Sequence, residues 1–158
     1  MGFISNYIFN LAKITFNNKN LERMRPLLFS YYITHRCDLF CKYCCDGGGK
    51  RFKEDPCYEM NTVEAINLLK IIKKESDTLD ITGGEPLLRQ DLEEVLFNAK
   101  KMGFKIILNT KGLGLKNRLD ILKSIDMIVL SIDTFNAENL AQLIGSDINV
   151  SNEIINTL

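Results

Sequence analysis

"TLDITGGEPLLRQDLEEVLFNAKKMGFKIILN", residues 78–109, is the stretch on which the fold turns. It opens on a short branched apolar run, turns at two glycines and a proline, passes through an amphipathic segment and closes on a second apolar run. "TLDIT" and "FKIILN" have strand composition, whereas the apolar residues of "DLEEVLFNAKKMG" recur at helical spacing. Asp91 stands at the helix N-cap, Glu94 three residues on, and Gly103 at the C-terminal stop. The stretch therefore predicts strand, helix, strand, a connection that makes parallel neighbours through a right-handed crossover.

The same alternation extends both ways. Pro26 introduces "LLFSYYIT", a strand rich in aromatic and branched residues, and "NTVEAINLLKIIKK" is a helix with Asn61 as cap and Glu64 as the capping-box acid. Beyond residue 109, "NRLDILKSI" predicts a short helix, "MIVLSID" a fourth strand, and "AENLAQLI" and "SNEIINTL" further helix. The order β-α-β-α-β-α-β-α, with near-continuous apolar strands, predicts an α/β fold with a parallel sheet covered on both faces. Ligands of such sheets gather at the carboxyl ends of the strands. "THRCDLFC", "TGGEP", "NTKG" and "SID" all fall at that edge. Ahead of the sheet, residues 3–16 predict a helix with Ile4, Tyr7, Ile8, Leu11 and Ala12 on one stripe. A helix lying on a membrane surface is richly basic on its polar face. This one carries almost only Asn, so it is expected to pack on the base of its own domain.

The chain has 158 residues, formal net charge zero and a pI near 6.6. That suits one domain with a real core and gives no electrostatic argument for a nucleic-acid partner. Five cysteines are an odd number for a secreted disulfide framework. The first basic residue is Lys13, so no charged signal-peptide start is visible, and position 6 is Asn where the myristoylation pattern has Ser or Thr. No apolar run approaches the ~18 residues of a membrane span. The expected location is the cytoplasm, where clustered thiols more often bind metal than pair.

Four of the cysteines crowd into "THRCDLFCKYCCDGGG", residues 34–49. Cys37, Cys41 and Cys44 form C-x3-C-x2-C. A structural zinc site uses four ligands, commonly as two separated C-x2-C pairs. Here there is no second pair, and His35 stands only two residues before Cys37. Three thiolates on one loop fit an iron–sulfur cluster better, with three irons capped and one left open. Cys45 and Cys57 read as bystander thiols, too few for another cluster, and "DGGGKR" as a loop rather than an anion cradle.

With "CDLFCKYC", Gly83–Pro86 as "GGEP", and "LSID" at the fourth strand, the chain resembles the radical S-adenosylmethionine (SAM) superfamily over residues 26–158. It looks most like the branch holding the molybdenum-cofactor synthase and the peptide-modifying enzymes. The resemblance implies a partial (β/α) barrel as the core, 26–158, preceded by an N-terminal helical extension, 1–25. It implies a [4Fe–4S] cluster on Cys37, Cys41 and Cys44, whose open iron chelates SAM, and reductive cleavage to a 5′-deoxyadenosyl radical that abstracts hydrogen from substrate. It places Tyr43 near the adenine, Gly83 and Gly84 against the methionyl part, and Glu85 on the amino group. Ser131 and Asp133, at period two on the strand, become ribose contacts, and Asn109 and Thr110 line the rim. A reductant such as a flavodoxin or ferredoxin is the implied partner, and the substrate is not legible. The family core usually has six βα units and four are recognisable here, so the barrel is expected to be incomplete, or completed by a second chain. Two alternatives share the motif: a non-catalytic iron–sulfur or metal-binding fragment that needs a partner, and an activase of glycyl-radical enzymes.

Overall fold

Successive residues of a strand face opposite sides of a sheet, and that alternation sorts this chain. The computed structural model describes residues 2–15, 25–44 and 59–158. Its elements are α1 (Phe3–Thr15), β1 (Phe29–Thr34), α2 (Thr62–Ile72), β2 (Thr78–Gly83), a 3-10 turn (Pro86–Leu88), α3 (Leu92–Lys101), β3 (Lys105–Thr110), a 3-10 segment (Leu115–Lys123), β4 (Met127–Leu130), α4 (Ala137–Ile144) and α5 (Ile148–Ile155). The strands form one parallel sheet in chain order, β1-β2-β3-β4, the start of a (β/α) barrel as expected.

One face of the sheet is the core. Tyr31, Ile33, Leu79, Ile81, Ile106 and Leu108 are buried against Ala65 and Leu69 of α2 and Leu92, Val95, Leu96 and Ala99 of α3. Each Leu, Ile or Val among them contributes roughly 1.5–3 kcal/mol by leaving water. Among the described residues no helix covers the other face, contrary to the expectation of two covered faces. Ser30, Tyr32, Asp80 and Asn109 occupy its alternate positions, and there Ser30 donates to Asp80 Oδ2 at 2.6 Å while the Asn109 amide donates to Asp80 Oδ1. It is the inner wall of the partial barrel.

Helix α2 starts as its sequence requires. The Asn61 side chain accepts from the Glu64 N–H, and the Glu64 carboxylate accepts from the Asn61 N–H. Helix α3 departs from expectation. Asp91 stands at its N-cap but makes no capping bond. Its carboxylate is taken by the buried Arg89, at 2.7 and 2.9 Å, and by the Thr62 hydroxyl at 2.6 Å. The expected helix at "NRLDILKSI" is instead the 3-10 segment, interrupted at Arg118, whose φ of −133° is not helical. Arg118 turns its guanidinium onto the carbonyls of Leu87 and Arg89, at 2.7 and 2.8 Å. That tie to the second crossover, between β2 and β3, competes with a regular helix.

Helix α1 does reach the base of the sheet, but by its polar stripe. Asn6 and Asn10 are buried. The Asn6 amide donates to the carbonyls of Pro26 and Glu75, and Asn10 exchanges two bonds with the Arg25 backbone. These backbone groups lie just before β1 and β2, where ladder partners are lacking, so two Asn side chains are what the base needs. The apolar stripe therefore faces outward, with Ile4 67% and Ile8 59% exposed. Among the described residues no helix is long and apolar enough to cross a membrane.

Candidate functional site

The site begins where β1 and β2 end. The register slips after Tyr32, so that Thr34 pairs with Gly83. The ladder then continues past both strands: the Gly84 N–H donates to the Thr34 carbonyl at 2.9 Å and the Glu85 N–H to the Arg36 carbonyl at 2.8 Å. A Cβ at Gly83 would stand 2.3 Å from the Thr34 oxygen, and one at Gly84 2.2 Å from the Arg36 oxygen. No side chain fits there. The two glycines are thus demanded by the backbone of the cysteine loop, which they hold against the end of β2.

The loop is held from its other side by α4. The Phe40 N–H donates to the Ile144 carbonyl at 2.8 Å, and the Lys42 N–H to the Leu143 carbonyl at 2.9 Å. Orphan carbonyls of a helix C-terminus here serve as the docking edge for the loop. Gly145 makes the approach possible. Its φ is +63°, and a Cβ would lie 2.5 Å from the Phe40 oxygen. Leu39 and Cys41 are buried with Leu140, Ile144 and Ile154, and the half-buried Cys37 and Cys44 pack on the same cluster. Burial pushes the Cys37 thiol above its ordinary value.

Between these supports lies a cavity of about 370 Å³. Cys37, Cys41 and Cys44 line one wall, Gly83, Gly84 and Glu85 another, and Tyr43, Asn109, Thr110, Ser131 and Asp133 complete it. Every residue to which the resemblance gives a ligand or contact role thus borders one space. Their settings differ from expectation in two respects. Ser131 and Asp133 lie beyond β4, which ends at Leu130, and so are loop residues rather than neighbours at period two on a strand. Asn109 does line the cavity, but its amide is committed to Asp80. Cys45, Cys57 and "DGGGKR" lie outside the described residues.

Glu85 is almost fully buried, 2% exposed. Its Oε1 accepts from the Leu87 N–H at 3.0 Å and the Thr110 hydroxyl at 2.6 Å, and its Oε2 from the Lys111 N–H at 2.9 Å. Burial raises its pKa, and the three hydrogen bonds oppose that rise. The carboxylate ties the turn after β2 to the end of β3 and keeps acceptor capacity on Oε2.

Across the mouth, the Tyr43 hydroxyl donates to Asp133 Oδ2 at 2.5 Å. Lys111 Nζ donates to the same oxygen at 2.9 Å and to the Tyr43 hydroxyl at 2.6 Å. Burial pushes the Asp133 carboxyl up, but the bonds from Tyr43 and Lys111 outweigh it and hold the group below the usual Asp range. Burial first, and then the bond to Asp133, push the Tyr43 phenol well above its ordinary value. Lys111 has no role implied by the sequence. It lies inside "NTKG", but a single lysine after a strand carries no pattern of its own.

The donor set can be tested against the implied cluster. Among the described residues no three His, Cys, Asp or Glu side chains converge as ligands of one ion. Three thiols spread along one wall, on a loop pinned at both ends, offer one sulfur to each of three separate irons. Beside them, the cavity gives room for a ligand at a fourth. The residues fit a cluster.

Comparison with known proteins agrees. The family model for the Radical SAM superfamily matches residues 31–158. A GTP 3′,8-cyclase of Aquifex aeolicus is 37% identical over 133 residues, which cover 80% of this chain and 41% of that protein. A GTP 3′,8-cyclase of Corynebacterium glutamicum is 34% identical over 125 residues, 73% of this chain and 33% of that one. The chain therefore spans about two fifths or less of the length of these relatives. The crystal structure of Streptococcus suis SuiB bound to S-adenosylmethionine superposes with a TM-score of 0.66 at 21% identity, over 95% of this chain and 33% of that chain, a likeness of fold.

Proposed function

The chain belongs to the radical SAM superfamily, and from that membership we propose that it binds a [4Fe–4S] cluster through Cys37, Cys41 and Cys44 and S-adenosylmethionine in the adjoining cavity, as the SAM-cleaving part of an enzyme that abstracts hydrogen from an organic substrate. The observation that carries the proposal is the shared cavity: three thiols, the Gly83–Glu85 edge and Asp133 border one space. When bound, the cluster supplies the electron that splits SAM into methionine and a 5′-deoxyadenosyl radical. A small reductant protein is the partner this chemistry requires.

The chain's own residues hold and orient. Gly83 and Gly84 keep the cysteine loop against β2 and present bare backbone to the methionyl part. Glu85 Oε2 has an acceptor site to offer an ammonium group. Tyr43, which lies between Cys41 and Cys44 in the sequence and lines the cavity, would border the nucleoside end, where Asp133 and Ser131 meet the ribose. Leu39, Ile144 and Ile154 exclude water from behind the thiols. That exclusion favours a low-dielectric site and disfavours side reactions of a radical with solvent.

Anaerobic reconstitution with iron and sulfide tests the proposal. The protein should take up about four irons and four sulfides, and SAM should change the electron paramagnetic resonance signal of the reduced cluster. Cys37→Ala, Cys41→Ala and Cys44→Ala should each abolish the cluster, while Cys45→Ala and Cys57→Ala should keep it. A complete cluster in Cys41→Ala, or tightly held zinc with no iron uptake, overturns the assignment.

A further inference from the structure

Among the described residues that line the cavity, Lys111 is the one that carries a positive charge. Its side chain is 12% exposed. A lysine this covered is costly unless it is paired, and Lys111 spends its donors on two groups of the site. Nζ reaches Asp133 Oδ2 and the Tyr43 hydroxyl, and lies 5.3 Å from the centre of the Tyr43 ring. Its own backbone is fixed by the bond from its N–H to Glu85. Both side-chain donors that meet Asp133, from Lys111 and from Tyr43, converge on Oδ2, and its own backbone N–H also meets the carboxylate. A carboxylate oxygen has about two acceptor sites, so the two side chains fill Oδ2 and Oδ1 keeps acceptor capacity for a ligand. Asp133 sits on a loop after β4, where nothing in regular secondary structure would set its rotamer.

We propose that Lys111, acting with Tyr43, is a positioning residue that fixes the Asp133 carboxylate so that its Oδ1 accepts hydrogen bonds from the vicinal hydroxyls of a ribose. The inference rests on the nucleoside reading of Asp133 given above and adds the cation that reading lacked. The ligand class it selects is a ribonucleoside with a free 2′,3′-diol. Lys111 touches no ligand atom itself. Without it, Asp133 turns toward solvent and the diol loses a pre-aimed acceptor.

The test is a cycle between ligand and residue, read as binding to the iron-loaded full chain by calorimetry. The ligands are 5′-methylthioadenosine, which has the diol but no methionyl group, and its 2′,3′-dideoxy counterpart. Lys111→Met should weaken 5′-methylthioadenosine about tenfold, as expected for loss of one oriented, charge-assisted contact. It should change the dideoxy compound less than about twofold, and Lys111→Arg should restore most of the difference. Tyr43→Phe, which removes one donor and keeps the ring, should give the same pattern at smaller size and serves if Lys111→Met loses its fold. Equal weakening of both ligands, or of neither, overturns the role of Lys111. The nucleoside reading of Asp133 is judged separately. It fails if the wild-type protein binds neither compound, or does not distinguish them, or if Asp133→Asn leaves that distinction intact.

Discussion

Arg89 is 1% exposed and spends its guanidinium entirely within the protein, on the carbonyls of Ile33 and Met60 and on both oxygens of Asp91. It joins the end of β1, the backbone that enters α2 and the start of α3. Removing it strands two carbonyls and a carboxylate, so Arg89→Leu should cost about 3–5 kcal/mol in urea unfolding, the range for breaking a buried pair from one side. The bond to Arg89 also holds the Asp91 carboxyl below its ordinary value. A depressed folded pKa contributes stability that is present above the unfolded value near ~3.9 and is lost as pH falls through the folded one. Urea melts between neutral pH and about pH 2 should show that loss in the wild-type protein. The same component should be missing from Arg89→Leu. If the two proteins lose stability in parallel across that window, the pair is not the source of the slope. Glu85 makes the same point for the site. Beside the ammonium contact proposed for it, it is a structural tether between the turn after β2 and the end of β3, so Glu85→Ala should lower the melting temperature along with SAM binding.

Elements differ in how openly the sequence declares them. The capping box of α2 is written in two residues and forms as written. The strand–turn–helix–strand unit of residues 78–109 is local, so its periodicities survive folding intact. Harder to read were features set by distant partners. "MIVLSID" looks like one strand, yet pairing stops at Leu130, where β3 runs out at Thr110. The third crossover has helical spacing but is held in a 3-10 path by Arg118. Asp91 has the right chemistry for a cap, but a buried arginine claims it. The cysteine loop could be recognised as a cofactor loop, while its attachment to the end of α4 has no local signal at all. That attachment makes a testable point at this scale. Gly145→Ala meets a left-handed φ and a carbonyl oxygen 2.5 Å away, and the strain alone is about 1–2 kcal/mol. The variant should melt lower and lose reconstituted iron faster to a chelator, whereas Gly114→Ala, also at positive φ but with open space around it, should melt lower while holding iron as the wild type does. Equal iron loss from the two would show that the clamp on the loop does not matter.

For the molecule as a whole, the sheet has two unlike flanks. β1 and β4 each lack a second strand partner among the described residues, but Asn6 and Asn10 secure the backbone just ahead of β1, whereas β4 pairs with β3 alone. Met127 and Val129 are exposed there, 57% and 38%. An apolar strand edge of this kind recruits another strand, and the inner wall with Asp80 and Asn109 is open on the same side. The chain as given should run larger than a monomer in size-exclusion chromatography, with Met127→Lys and Val129→Lys together shifting it toward monomer. A monomeric wild-type elution would remove the argument for an edge partner. The grip of α4 on the cysteine loop has one last consequence, which concerns order in time. A ribosome releases Cys37, Cys41 and Cys44 long before Leu143 and Ile144, and at roughly 5–20 residues per second the thiols wait several seconds for the carbonyls that seat their loop. Throughout that interval the loop lacks the carbonyls of Leu143 and Ile144 that seat it, so the cluster proposed for it would find its finished site only after translation has passed α4.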